Sequence, residues 1–492
     1  MSLVMILLPL LLAGVAAAIP SNRARPWLLP IAAACHLAMT LASVFPLGVA
    51  LPFPAPFGEA AGGSELWLAL DAPGKLVLLV VSVLFFCCSI YSVGYLRYRR
   101  ERSNRVFVSC LLVFLAVMSL VTWAQHLGLL WVAIEATTLS TAPLIYFNRS
   151  KRSIEATWKY LLVGSVGIAL ALLGTFFLAY SAIPAGLEPS MNMGAVLGMA
   201  GSLSKPWLRA AFVLLLVGYG TKMGLAPMHT WKPDAYGEAP GVVGAIFAGG
   251  VTSCAFLAFL RVYCVLIAAG EGAYVSRLLM VMGLLSMAVA GLFMIGQRDF
   301  KRMLAYSSVE HMGILILGLG IGAPALYGTM LHVATNGMTK GVLFLSAGNI
   351  HRAYASKTTD EVRGAIRRLP LSGGLFLAGF LAITGSPPFG PFVSEFSILV
   401  GAFDAGKLLP AALFLLFLLV VFIGMGKTVL KVTLGRPPVE VLEAAAPRYS
   451  DGFLTIAPVF ALMAIVLLLG LCVPIPLDQL VRDAASYLGG AL

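Results

Sequence analysis

Charge is what this sequence has least of. Asp, Glu, Lys and Arg make up 11% of its 492 residues, against 60% hydrophobic residues and a mean hydropathy of +0.95. A soluble chain of this length cannot hide so much apolar surface, so a soluble globular fold is excluded. Paired cysteines are missing as well. Cys35, Cys87, Cys88, Cys110, Cys254, Cys264 and Cys472 all fall in or beside apolar runs, and none forms C-x-x-C or another metal-ligand spacing. The sequence therefore predicts no disulfide framework, no iron–sulfur cluster and no zinc in this chain. Acidic residues are scarcer than basic ones, 21 against 33, for a formal net charge of +12. The basic residues sit mostly in short loops, which reads as a topology signal rather than a nucleic-acid surface.

What the chain has in abundance is apolar runs of spanning length, about 20 residues each. The reading is an all-α polytopic membrane protein with about fourteen spans: 3–20, 27–50, 75–97, 106–124, 126–146, 158–181, 207–229, 241–269, 274–296, 303–321, 323–349, 371–404, 408–434 and 453–475. The run Met1–Pro20 lacks a basic n-region and is followed by Arg23 and Arg25, so it reads as the first helix and not a signal peptide. Loop charge alternates. Basic residues follow span 1 (Arg23, Arg25), span 3 (Arg99, Arg100, Arg102, Arg105), span 5 (Arg149, Lys151, Arg152), span 9 (Arg298, Lys301, Arg302) and span 11 (Arg352, Lys357, Arg363, Arg367, Arg368). The loop after span 2 is acidic, with Glu59, Glu65 and Asp71, and those after spans 4, 6 and 10 are acidic or nearly neutral. By the positive-inside rule the basic loops face the cytoplasm and both termini lie outside, as an even span count requires.

Ionisable residues also lie inside the spans: Glu135 in span 5, Lys222 in span 7, His311 in span 10 beside Glu310, Lys340 in span 11 and Glu395 in span 12. Each charge at the bilayer centre costs roughly 2.5–3.5 kcal/mol on the insertion scale. One such charge reads most simply as half of an inward-facing ion pair that locks helices together. Four or more, of both signs and in separate spans, point instead to an ion path, because buried pairs are poor stability devices. On span 11, His332, Asn336 and Lys340 are spaced i, i+4, i+8 and share a face. They read as steps of a proton relay, with His311, and Ser307 or Ser308 holding an ordered water, as further steps. His229, near the end of span 7, is either a further step or a satisfied hydrogen bond between helices.

Spans 7 and 12 are interrupted. Lys222 is followed by Gly224 and Pro227, and Glu395 is preceded by Gly385, Pro387, Pro388, Gly390 and Pro391. Proline inside a helix removes a backbone hydrogen bond, and broken backbone at membrane depth survives only where protein or water satisfies it. Two interrupted helices five spans apart, each with a titratable residue, predict a transporter built from two inverted five-helix repeats, spans 4–8 and 9–13. The chain then divides into helices 1–3 (1–104), a first repeat (105–270), a second repeat (271–436), and a loop with the last span (437–492).

The stretches WVAIEATTLSTAPLI, GTKMGLAPMHTWKPDAYGEAP, DFKRMLAYSSVEHMGIL, LHVATNGMTKGVLFLSAG and ITGSPPFGPFVSEFSIL, in that order over about residues 105–435, resemble the proton-conducting antiporter-like subunits of respiratory complex I, Mrp antiporters and membrane-bound hydrogenases. WVAIEATTLSTAPLIYF and WKYLLVGSVGIALALLGT look most like hydrogenase-4 component F of group 4 nickel–iron hydrogenase and formate hydrogenlyase complexes. The resemblance implies a non-catalytic, ion-translocating subunit carrying protons, with Na⁺ a further candidate. In it Glu135 pairs with Lys222, Lys340 is the central lysine, and Glu395 is the terminal site. It implies no cofactor in this chain. Iron–sulfur clusters and a nickel–iron centre are expected in partner subunits, in a bacterial or archaeal cytoplasmic membrane. The chain departs from the family at two positions. Ser253 stands where the family usually has a lysine eight residues before an arginine (here Arg261), and Asn336 stands where a second histidine is frequent. Either water held by Ser253 fills the missing step, or conduction through this half is impaired. With a short segment after span 14, the chain is more similar to the middle subunits than to the distal one. Contact with partners is expected through lateral helix faces and through residues 351–369. The alternatives are a passive membrane anchor of such a complex and a subunit of complex I or an Mrp antiporter.

Overall fold

The computed structural model describes residues 1–45, 67–99, 102–436 and 449–489. Glu59, Glu65, Arg100 and the segment 437–448 lie outside the described residues. Within them the chain is helical, and its few β-bridges are isolated. Ten helices are long and apolar enough to cross a membrane. They are α2 (Leu28–Val44, with the turn Arg25–Trp27 before it), α3 (Ala72–Arg97), α4 (Arg105–Trp123), α5 (Leu127–Ile145), α6 (Lys151–Tyr180), the rod of α10 (Gly241–Ile246) and α11 (Thr252–Ala268), α12 (Gly272–Met294), α13 (Phe300–Ile321), α18 (Leu408–Leu434) and α19 (Phe453–Leu471). A π-turn, Phe247–Val251, joins α10 to α11.

The other expected spans are less apolar or shorter. The amino-terminal run is α1 (Ser2–Ala18), which packs along α4, where Ser109 Oγ donates to the Ala13 carbonyl at 3.1 Å. Span 7 stops at its break: α8 (Lys205–Met223) is followed after seven residues by α9 (Trp231–Glu238), which continues the interrupted helix beyond the expected end at 229. Span 12 is likewise α16 (Pro370–Ile383) and α17 (Gly390–Asp404). Span 11 is the long α14 (Ala323–Tyr354), almost wholly buried despite its polar rows. Three short or amphipathic helices complete the chain: α7 (Met193–Gly198), α15 (Ala365–Arg368) and α20 (Ile475–Gly489). α14 contacts α3, α10, α13, α16, α17, α19 and α20, so the polar rows on it are enclosed by protein on all sides. Polar groups in hydrocarbon must find partners within the bundle, and a central helix is where they find the most.

The connections gather at two opposite ends. At one, Arg25 and Asn104 meet through their side chains, and Asn104 Nδ2 donates to the Asn22 carbonyl at 2.8 Å. There too Asn148 Nδ2 reaches the Glu238 carbonyl at 3.0 Å, Lys357 pairs with Glu238 at 2.6 Å and Asp299 at 3.2 Å, and Arg302 meets Asp234. Lys431 closes the row on Asp360 at 3.0 Å and holds that carboxyl below the ordinary carboxylate range. These residues follow expected spans 1, 3, 5, 7, 9 and 11, and Lys431 lies in the last turn of span 13. The loops after even-numbered spans meet at the other end. Gln125 Nε2 donates to Asp71 at 3.1 Å, the Met193 amide donates to the Gln125 carbonyl at 2.9 Å, and Glu271 accepts from Arg209 at 2.7 Å. Alternation of loop chemistry in the sequence is thus alternation of ends in space.

One lock at the even end is largely buried. Arg261 of α11 is 1% exposed, and it binds Asp71 at 3.0 Å and the Val121 and Thr122 carbonyls at 2.9 and 2.8 Å. Asp71 also caps α3 by accepting from the Gly74 amide at 2.8 Å. Removing one partner of a buried pair leaves an uncompensated charge and costs about 3–5 kcal/mol. Arg261→Ala is therefore expected to lower the thermal stability of the purified protein strongly, while Asp71→Ala/Arg261→Met together should recover part of the loss. Single cysteines at Asp360 and Glu188, introduced in a cysteine-free background, should react with a membrane-impermeant maleimide from opposite sides. Reaction of both from one side would contradict the alternation.

Candidate functional site

The buried polar side chains form two clusters with a helix break at each. The first begins on α5, whose Glu135 is half-buried and two turns into the helix. Thr138, one turn on, donates from Oγ1 to Glu135 Oε2 at 3.0 Å and accepts from Lys222 Nζ at 2.6 Å. Lys222 also donates to Tyr160 OH at 3.2 Å, with Nζ 5.1 Å from that ring, and Tyr160 OH is 2.8 Å from Thr141 Oγ1. The expected Glu135–Lys222 contact is therefore indirect: a threonine hydroxyl stands between carboxylate and ammonium. The physical reason is the helical spacing. Thr138 is i+3 from Glu135 and shares its face, so it lies between the carboxylate and a lysine arriving from α8.

Lys222 is the penultimate residue of α8, where the carbonyl end of the helix carries partial negative charge. Gly224 then takes a left-handed φ of +78°, and Ala226–Pro227 is cis. The break frees carbonyls, and side chains from α9 fill two of them. Trp231 Nε1 donates to Thr221 O at 2.8 Å, and Lys232 Nζ donates to Met223 O at 2.5 Å. His229 lies in the break with its ring 6.2 Å from Tyr306 and 6.3 Å from Phe293, and its Nδ1 has no hydrogen-bond partner. It makes no bond to another relay candidate. Ser253 does not reach the cluster either: its Oγ donates to the Gly249 carbonyl of its own helix at 2.8 Å. Serine in a helix has this local acceptor one turn back, and takes it.

The second cluster surrounds α14. Lys340 Nζ donates to Ser307 Oγ of α13 at 2.6 Å. His311 Nδ1 and His332 Nε2 lie 3.0 Å apart with stacked rings, and His332 Nδ1 is 2.9 Å from Ser394 Oγ on α17. Ser394 Oγ lies 3.0 Å from the Pro391 carbonyl, 2.9 Å from His332 Nδ1 and 3.1 Å from Thr335 Oγ1. With its proton on the Pro391 carbonyl, Ser394 accepts from His332; neutral His332 then carries its proton on Nδ1, and His311 Nδ1 donates to His332 Nε2. The chain of donors runs His311 to His332 to Ser394 to Pro391. Glu395 Oε1 is 3.9 Å from His311 Nδ1, and Glu310 Oε2 is 3.8 Å from His311 Nε2. Gly385, at φ +67° before the cis Pro387–Pro388 bond, lies so close to the Glu395 carboxylate that a Cβ there would strike Oε2.

Several buried atoms of this cluster have no protein partner: Ser308 Oγ, Glu310 Oε2, His311 Nε2, both polar atoms of Asn336, and Glu395 Oε1. Unpaired polar groups are costly in an apolar interior, and a site with this many adjacent donors and acceptors is one that water satisfies. One ligand atom each from His311, His332 and Glu395 falls within 4.8 Å of the others, which is spacing a cation could use. The imidazoles, however, spend one nitrogen each on one another and His332 spends its second on Ser394, so the arrangement favours proton exchange between rings over ligation.

The sequence reasoning missed Thr138, Tyr160, Ser394 and Lys232. Lys232 is 0% exposed and lies three residues beyond the expected end of span 7. Its signal was present in TWKPDAY, a lysine between two aromatic residues and beside a proline.

The family described as NADH:quinone oxidoreductase/Mrp antiporter, transmembrane, matches residues 124–425, more than half of the chain. The chain belongs to this family. The matched range contains both clusters and both helix breaks. A hydrogenase-4 component F homologue of Methylacidiphilum infernorum (isolate V4) is 36% identical over 376 residues, 73% of this chain and 79% of that protein. NADH-quinone oxidoreductase subunit N of Desulforudis audaxviator (strain MP104C) is 35% identical over 339 residues, 67% of this chain and 65% of that protein. A chain in the structure of the Mrp complex from Dietzia sp. DQ12-45-1b superposes with a TM-score of 0.84 over 99% of this chain and 97% of that one, at 23% identity. This antiporter-family chain is thus a polytopic membrane protein of the complex I, Mrp and hydrogenase type. The bridge geometry yields a direct expectation for it. Thr138→Val leaves Lys222 one acceptor short and Glu135 without its donor, at the cost of about 1–3 kcal/mol typical of a buried polar group stripped of its partner. The purified Thr138→Val protein should melt at lower temperature than wild type, and Thr138→Ser should not.

Proposed function

We propose that this chain translocates protons through a mid-membrane relay, as a subunit of a redox-driven assembly of the group 4 nickel–iron hydrogenase, formate hydrogenlyase-like class. The observation that carries the proposal is the Glu135–Thr138–Lys222 bridge together with the His311–His332–Ser394 chain beside Lys340 and Glu395. The first links a carboxylate to an amine through a hydroxyl that donates to one and accepts from the other. The second is a set of neutral rings able to accept a proton on one nitrogen and release it from the other. In this reading residues 105–270 and 271–436 are two repeats, each contributing one broken helix. Packing supports the pairing: α6 lies on α8 and α9 in the first half as α14 lies on α16 and α17 in the second.

The likeness to a hydrogenase-4 component F homologue supports the hydrogenase class, and the comparable identity to a subunit N supports complex I as the second reading. Partner subunits carrying iron–sulfur clusters and a nickel–iron centre would supply the driving force. A proton moved against 100 mV requires roughly 2.3 kcal/mol per charge. In this proposal the odd-loop end, with its basic residues, faces the cytoplasm of a bacterium or archaeon, and both termini face outward. Much of residues 351–369 is engaged internally through Arg352 and Lys357, so docking would use the exposed stretch around Asp360, Glu361 and Arg367 with lateral helix faces.

Purification of the tagged chain with its partners, followed by reconstitution in liposomes, tests the proposal. Lys222→Met, Lys340→Met and Glu395→Gln should each lower redox-driven proton uptake at least about tenfold while the assembled complex is still recovered. Undiminished uptake in all three would favour the passive-anchor reading. Na⁺ flux measured on the same vesicles decides whether Na⁺ is also carried.

A further inference from the structure

Between the two clusters lies Lys232, a buried lysine outside the expected spans. We propose that Lys232 is a proton-carrying step between Lys222 and Lys340, taking the place that Ser253 leaves unfilled. The inference rests on the relay reading above and adds a residue to it.

Placement carries the argument. Lys232 is on the second residue of α9, and its aliphatic stem turns back over the break in span 7. Gly224 is what makes room: a Cβ there would lie 2.5 Å from Lys232 Cδ and 3.0 Å from both Cε and Nζ. Nζ then donates to Met223 O at 2.5 Å, on the residue that follows Lys222. On its other side Nζ is 3.4 Å from Ser308 O, on the residue that follows Ser307, the acceptor of Lys340. Lys232 is thus bracketed by the immediate neighbours of both central groups. Ser308 Oγ and Tyr236 OH, both buried and without a hydrogen-bond partner, belong to the same surroundings, and the Tyr236 ring is 5.7 Å from Nζ.

The second break repeats the design. There Glu395, from the second half of the interrupted helix, turns back onto the left-handed Gly385 as Lys232 turns back onto the left-handed Gly224. In each case the half-helix after the break supplies a titratable side chain that crosses the glycine. The natural counterpart of Glu395 in the first half is therefore Lys232 rather than Lys222. The step is a plain proton exchange: the Lys222 ammonium releases a proton, neutral Lys232 accepts it as an ammonium, and Lys232 passes it on toward neutral Lys340, each donor returning to the amine.

The opposing reading is that Lys232 is only a cap on the last carbonyl of α8. Arginine separates the two, because guanidinium keeps the charge and the donors but does not release a proton at any working pH. Lys232→Arg and Lys232→Met are to be made in the full complex beside Lys222→Met, with assembly, redox turnover and proton uptake measured for each. The expected result is an assembled Lys232→Arg complex whose proton uptake falls at least about tenfold. Wild-type uptake by Lys232→Arg overturns the proposal and leaves Lys232 a cap, and failure of both Lys232 variants to assemble overturns it in the same sense. Wild-type uptake by Lys222→Met would instead remove the relay reading itself, so the two failures are distinguishable.

Discussion

Four buried lysine amines with no carboxylate to touch set the terms for this structure. Lys222, Lys232, Lys301 and Lys340 are at most 3% exposed, and among the described residues none has an acidic oxygen within ion-pair distance. An ammonium offers three donors and no acceptor, and taking it from water costs several kcal/mol unless oxygen surrounds it. Here the oxygens are neutral. Thr138 and Tyr160 serve Lys222, Met223 and Ser308 carbonyls serve Lys232, Gly237 and Ala239 carbonyls serve Lys301, and the Ser307 hydroxyl serves Lys340. Neutral oxygens solvate an ammonium without binding its proton as a carboxylate would.

That requirement explains the interrupted helices better than flexibility does. A continuous helix consumes its own carbonyls, whereas a helix that stops at Met223 or near Glu238 presents its last ones, each at the negative end of a dipole. Lys232 takes the end of α8, and Lys301 takes the end of α9. The break after Lys222 is therefore a way of making acceptors at depth. It is closed by protein, with Trp231 and Lys232 folded into it, and the long polar helix α14 stays buried because helices surround it on every side.

Much of this was legible in the chain. Apolar runs of spanning length, alternating loop charge and proline at Pro227, Pro387, Pro388 and Pro391 carry enough information to locate the helices and both interruptions, because each reflects a local rule about hydrocarbon or backbone geometry. Glu135, Lys222, His311, His332, Lys340 and Glu395 stood out because ions in apolar runs are conspicuous. Lys232 did not, since α9 is too polar to read as membrane and its burial comes entirely from tertiary packing. Thr138 and Ser394 escaped for a different reason: hydroxyls are common in helices, and only the position of a partner on another helix distinguishes a bridge from a local bond. Ser253, singled out by the family resemblance, donates to its own backbone and keeps its lone pairs for a further partner.

The two stacked histidines impose a rhythm on any traffic through them. When a proton enters at His311 Nε2 and another leaves from His332 Nδ1, both rings are left as the opposite tautomer, and the donor chain points backward. A second proton of the same kind then meets nitrogens that are already occupied on the entry side. The rings must turn over, or return their protons by another route, before the next passage. Were the proposed relay to run through it, such an element would count: it would admit one charge per reset, at a rate set by how fast imidazoles packed between α13, α14 and α17 reorient and not by the hop itself.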